Sequence, residues 1–155
     1  MTTAHNLYKF AFAVCLFTLA MACSGTRQAK SAAAPKLNLP LAGTYWRLTE
    51  LMGKPVSVTK GAKKQLAITL GADGGRAFGF SGCNMFNGSY TIGEGSSIVF
   101  SRTAATMMAC ADMETERRFL EVLNTADAYS IVGNTLVLSK ARVAPLAKFV
   151  ADTKP

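Results

Sequence analysis

Phe78-Gly79-Phe80-Ser81-Gly82-Cys83-Asn84-Met85-Phe86-Asn87-Gly88-Ser89-Tyr90 places one cysteine among turn-forming residues, between aromatic flanks that favour extended backbone. A second stretch, Thr106-Met107-Met108-Ala109-Cys110, supplies a second thiol just before a segment of helical periodicity. Alternating apolar and polar residues run outward from these islands in both directions. The chain reads as short strands with one helix laid over them.

Upstream, Thr44 to Leu51 alternates and is rich in aromatic and β-branched types, with Trp46 and Leu48 on one face. Met52-Gly53-Lys54-Pro55 breaks that strand, and the segment to Lys64 reads as turn and loop. Leu66, Ile68 and Leu70 alternate again before the turn Gly71-Ala72-Asp73-Gly74-Gly75. Arg76 to Phe80 is the next strand, followed by a loop from Gly82 to Gly88, a strand at Ser89 to Ile92 and another at Ser97 to Phe100.

Between Asp112 and Thr125 the period changes. Met113, Phe119, Leu120, Leu123 and Ala126 recur at helical spacing, with Glu114, Arg117, Arg118 and Glu121 largely on the other side. Asp112 suits an N-cap, and Glu114 and Glu116 fall in the first turn, where the helix dipole favours negative charge. Gly133-Asn134 then joins two short strands as a tight hairpin, and a last strand is expected near Leu146 to Val150. The expected fold class is α+β: a single domain with a curved or barrel-like antiparallel sheet of about seven short strands and one main α-helix packed on it.

The N-terminal region has a different character. Lys9 precedes an apolar run from Phe10 to Ala22 that is short for a membrane span and reads as a signal peptide over residues 1–22. Ala20-Met21-Ala22-Cys23 fits the small-x-small rule of ordinary secretion and also resembles a bacterial lipobox. Both place the mature terminus at Cys23. As the first residue, Cys23 is the expected site of lipidation, since several acyl chains on one residue anchor stably where a single chain does so only marginally. The stretch after it is rich in Ser, Ala, Lys and Pro and lacks aromatic residues, so residues 23–40 read as lipid anchor and flexible tether. Ser24 is not the Asp that holds enteric lipoproteins at the inner membrane, so the outer membrane facing the periplasm is the expected destination. The folded domain spans 41–150, with a tail at 151–155.

Composition removes several function classes. The chain has formal net charge +8, from 17 Lys and Arg against 9 Asp and Glu. Its cations are scattered over tether and turns rather than striped along a helix, which argues against nucleic acid and for loose attraction to anionic headgroups. The only histidine, His5, leaves with the signal peptide, and with it go imidazole-activated nucleophiles and His-containing zinc sites. With Cys15 removed and Cys23 acylated, Cys83 and Cys110 remain as the thiols of an exported domain and should pair in an oxidising compartment. Their separation lacks the close spacing that tunes a redox-active pair, so a structural staple is expected.

The residues Gly43-Thr44-Tyr45-Trp46-Arg47-Leu48, the Gly79 to Tyr90 stretch, and Met107-Met108-Ala109-Cys110 with Glu114, Glu116, Phe119, Leu120 and Leu123 together resemble the META domain family, the HslJ-like group of bacterial envelope proteins. That resemblance implies a small α+β domain linked to heat shock and envelope stress, and it carries no agreed catalytic residues. The sequence therefore points to a non-enzymatic envelope lipoprotein with no catalytic residue, metal or cofactor, held at the membrane by its lipid and favoured as a monomer. Its expected partner is an envelope protein or lipid-like ligand, bound through the loop Asn84, Met85, Phe86 and Asn87. The alternatives are a disulfide-stapled inhibitor or protective module acting on another envelope enzyme, and a carboxylate hydrolase using Asp112 with Glu114 or Glu116. The methionines also raise a copper reading, set aside because neighbouring Met107 and Met108 in a strand would face opposite ways.

Overall fold

The computed structural model describes residues 38–57, 64–73 and 75–152. The segment expected to be a signal peptide, Cys23, most of the expected tether and residues 153–155 lie outside them. Nine strands and one α-helix make up the rest: β1 (Tyr45–Leu51), β2 (Lys54–Pro55), β3 (Ala67–Leu70), β4 (Arg76–Phe80), β5 (Met85–Gly93), β6 (Ser97–Ala105), α1 (Met113–Thr125), β7 (Ala128–Val132), β8 (Thr135–Lys140) and β9 (Ala144–Asp152).

Every neighbouring pair of strands is antiparallel, and β9 returns to pair with β1 from Tyr45↔Asp152 to Leu51↔Ala147. The sheet thus closes on itself as an eight-stranded barrel, with β2 as a two-residue spur on β1. Closure removes most of the exposed edge that an open sheet would offer to other chains. The expected sheet of about seven strands was curved in the right sense and short in its count. β2 is too brief to carry an alternating pattern, and β9 starts earlier than expected, at Ala144, with Pro145 inside it. Pro145 sits where β9 pairs with β8 but has not yet reached β1, so its missing N–H costs little there.

The alternating residues point inward as their period requires. Trp46, Leu48, Ile68, Leu70, Ile98, Leu136, Leu138 and Phe149 are all at most 1 % exposed and fill the barrel. Trp46 can be buried because its indole Nε1–H donates to Leu41 O at 2.9 Å. Gly79 is required by close approach: a Cβ there would lie 2.0 Å from Ala67 O across the β3–β4 ladder. Gly133, at φ 63°, closes the tight β7–β8 hairpin that the sequence predicts.

The barrel has one seam. β6 and β7 meet only at Ser97↔Ala128, and the chain between them carries α1, which packs against β6. Asp112 caps the helix, its carboxylate accepting from Thr115 N at 3.1 Å, and Glu114, Arg117, Arg118 and Glu121 form ion pairs on the outer face. Phe119, Val122 and Leu123 are buried, with Phe119 edge-on to Phe86 at 5.7 Å and tilted against Phe149 at 6.1 Å. Met113, expected on the inner stripe, is 42 % exposed. Glu116 takes an inner position instead.

Candidate functional site

At the β4–β5 connection the chain reverses through a tight turn, Ser81 N donating to Asn84 O at 2.9 Å. Gly82 in this turn has φ +125°, a conformation that side chains avoid. The turn brings four donors to one carboxylate. Glu116, 5 % exposed, accepts at Oε2 from Ser81 Oγ (2.8 Å), Cys83 N (3.2 Å) and Asn84 N (2.7 Å), and at Oε1 from Asn84 Nδ2 (2.7 Å). Burial alone would favour the neutral acid, but these hydrogen bonds outweigh it and hold the Glu116 carboxyl below its ordinary range. Among the described residues no ammonium or guanidinium pairs with Glu116; the charge is held by dipoles.

Asn84 extends the lock to the segment before the helix. Its Oδ1 accepts from Thr106 Oγ1 at 2.7 Å and Met108 N at 2.8 Å, and its Nδ2 also donates to Met108 O at 3.1 Å. A disulfide joins Cys83 to Cys110 across the same gap, with Cα atoms 5.9 Å apart, inside the usual range for such a bridge. Turn, helix and the irregular 106–112 segment are therefore tied together by one covalent bond and a saturated polar network. Among the described residues, every buried side-chain nitrogen and oxygen has a partner.

The expected binding loop is not a loop. Met85, Phe86 and Asn87 belong to β5, which starts four residues earlier than the glycine-rich pattern suggests. Phe86 is 2 % exposed and packs on Phe119, so it belongs to the core and not to a contact surface. Asn84 is 1 % exposed, its carbonyl closing the turn and its side chain bonded to distant residues, while Met85 is 42 % exposed and open to contact. Met107 and Met108 also depart from expectation. They lie in irregular backbone and are 99 % and 56 % exposed, so the alternation argument does not apply to them. Met85 O accepts from Thr106 N, and Met113 Sδ accepts from Cys110 N at 3.4 Å, so four exposed methionines rim one disulfide-tied corner.

The three acidic residues singled out for hydrolysis are already in use. Thr115 hydroxyl and amide hydrogen bonds hold Asp112 low, and Arg117 and Arg118 bring the Glu114 carboxyl down to about 2. A groove of about 640 Å³ does pass Asp112 and Glu114, lined also by Leu51, Val56, Leu66 and Arg118. None of these carboxylates is raised toward neutrality, as a general acid must be. Sequence reasoning assigned Glu116 to the dipole of the first turn and missed its role. The signal was its position three residues before Phe119 and seven before Leu123, on the stripe that enters the core.

Solved structures share this architecture. A protein from Burkholderia xenovorans solved by NMR is 22 % identical, covering 74 % of this chain and 85 % of that one with a TM-score of 0.58. Another NMR structure, 24 % identical, covers 71 % and 91 % with a TM-score of 0.55. A crystal structure of a DUF4847 family protein from Bacteroides vulgatus is 16 % identical, covering 74 % and 96 % with a TM-score of 0.54. At such identities the likeness is one of fold. No curated protein matches the chain. The family model of the META domain matches residues 39–153, which takes in all nine strands, the helix and the Glu116 lock. This chain belongs to the META domain family.

Proposed function

We propose that this protein is a non-enzymatic lipoprotein of the bacterial envelope, acylated at Cys23, whose META domain presents a rigid corner to a protein or lipid-like partner in stress response or envelope maintenance. The observation that carries this reading is the contrast within the corner itself. Its buried polar groups are consumed by Glu116 and Asn84, while its large exposed apolar side chains are the thioethers of Met85, Met107, Met108 and Met113. Thioether side chains are adaptable contact surface. A corner held by a disulfide has little ordering left to lose on binding, which favours recognition over turnover. The leader, the tether and the outer-membrane destination rest on the N-terminal sequence alone.

Two measurements test it. Mass spectrometry of the mature N-terminus is expected to show an acylated Cys23. Envelope pull-down with wild type and a Met107→Ser, Met108→Ser variant is expected to lose its partner without loss of fold, and identical captures from both would reject the corner. Phe86 is left intact because changing it would open the core. The second reading, a protective module that blocks another envelope enzyme, is favoured by the fully exposed Met107 on the segment that Cys110 fixes. Envelope protease activity measured with and without added protein separates the two readings.

A further inference from the structure

The outer face of strands β3 to β6 carries a feature that the methionine corner does not explain. These strands contain Arg76 and Arg102 and no Asp or Glu. On β4, Arg76, Phe78 and Phe80 alternate outward, and both rings are half-buried on the barrel surface. Each ring carries a cation: the Arg76 guanidinium lies 6.0 Å from the Phe78 centroid, and Lys64 Nζ lies 5.7 Å from that of Phe80. The register sets Met85 beside Phe80, Asn87 beside Phe78 and Ser89 beside Arg76, and it continues to Val99 beside Thr91. Met85 and Val99 are 42 % and 53 % exposed. The nearest acidic residues in sequence, Asp73 and Glu94, lie in turns outside the strands.

We propose that this β3–β6 face, centred on Phe78, Phe80 and Met85 with Lys64 and Arg76 above the rings, rests on an anionic phospholipid surface. The proposal deepens the envelope reading and depends on it for the presence of a membrane. Its chemistry is that of interfacial contact, in which an apolar body ends in a cation at headgroup level. Positive charge on strands that carry no carboxylate of their own complements a negative surface. The same pattern disfavours single-stranded nucleic acid, because base stacking needs open ring faces and here the cations cover them.

The test uses the full chain incorporated into phosphatidylcholine vesicles with or without phosphatidylglycerol, with peroxide oxidation of each methionine followed by mass spectrometry. Met85 and Met52 are 42 % and 43 % exposed, so Met52 in the β1–β2 turn is an internal reference. Phosphatidylglycerol is expected to slow oxidation of Met85 several-fold and to leave Met52 unchanged. In a Lys64→Gln, Arg76→Gln variant with an unaltered melting curve the protection is expected to vanish, since each cation near such a surface is worth about fivefold in binding. Salt near 1 M, where the screening length falls to about 3 Å, is expected to act like the variant. Equal protection in neutral vesicles, protection that survives the double substitution, or protection by a thymidine oligonucleotide without vesicles would overturn the proposal. An unprotected Met85 in a chain acylated at Cys23 rejects this face alone. A protected Met85 with an unmodified Cys23 rejects the lipoprotein reading and keeps the face.

Discussion

The barrel interior and the Glu116 corner are built by opposite means. Around Trp46, Phe119 and Phe149 stability comes from apolar area removed from water, a contribution that is non-directional and spread over many contacts. At the corner a single carboxylate collects four hydrogen bonds, a disulfide runs alongside, and hardly any side chain is interchangeable. The interior decides that a barrel forms. The corner decides that one particular turn, one helix start and one irregular segment keep fixed relative positions, as a presented surface requires.

Truncating the interior should have the largest effect. Phe119→Ala removes the ring shared by Phe86 and Phe149 and is expected to cost about 4 kcal/mol, read as a lower urea midpoint with an unchanged slope. A loss under about 1 kcal/mol would mean that the helix closes the seam less tightly than its burial indicates. Next comes the covalent half of the corner. Cys83→Ala with Cys110→Ala opens a loop spanning 27 positions and should cost roughly 3 to 4 kcal/mol on the chain-entropy account, with reduced wild type behaving like the variant. Should reduction leave the midpoint unmoved, the hydrogen bonds alone hold the corner.

The same contrast explains what was legible in the sequence. Apolar burial leaves a periodic trace, so Trp46 and Leu48, Ile68 and Leu70, Phe119 and Leu123 could be assigned to the core, and Gly133-Asn134 to its hairpin, with no coordinates. A polar lock leaves no period. Ser81, Asn84, Thr106 and Glu116 are common surface types; local rules put Ser81 and Asn84 in a turn and Glu116 in the first turn of the helix, and gave Thr106 no task. Their long-range hydrogen bonds exist only once the barrel and helix are placed. The loop assigned to Gly82–Gly88 failed for a related reason: glycine at 88 reads as a turn, but in β5 it admits the close approach of Ser101 O, 3.0 Å from where a Cβ would stand. The outward pair of Lys64 and Phe80 was hidden too, because the two meet through the fold and not through spacing.

Glu116→Gln probes the polar half of the corner. The amide nitrogen must face a donor whichever way it turns, so the expected cost is about 3 kcal/mol near neutral pH. The pH dependence supplies a second readout. Glu116 has its folded pKa depressed below the ordinary 4.5, so its contribution is complete above that value and disappears as pH falls through the folded one. The wild type should lose stability on acidification more steeply than the Gln variant. A residual slope from Asp112, Glu114 and Asp127, likewise held low, should remain in both.

Tyr90→Phe gives the smallest effect and the sharpest form of the comparison. Tyr90 is a buried residue of the apolar interior whose hydroxyl makes one hydrogen bond, to Gly71 O at 3.0 Å. Its ring stays in place on substitution, so the expected loss is about 1 kcal/mol, the net worth of a single neutral hydrogen bond. Glu116→Gln changes a comparably small number of atoms yet should cost about three times as much, because a buried donor is left facing a donor and the others trade a charged acceptor for a neutral one. Similar losses from the two would mean that the corner is a sum of ordinary hydrogen bonds, free to fray one at a time. In that case Met85, Met107 and Met108 would sit on a mobile edge, and the low ordering cost that favours them as a binding surface would be gone.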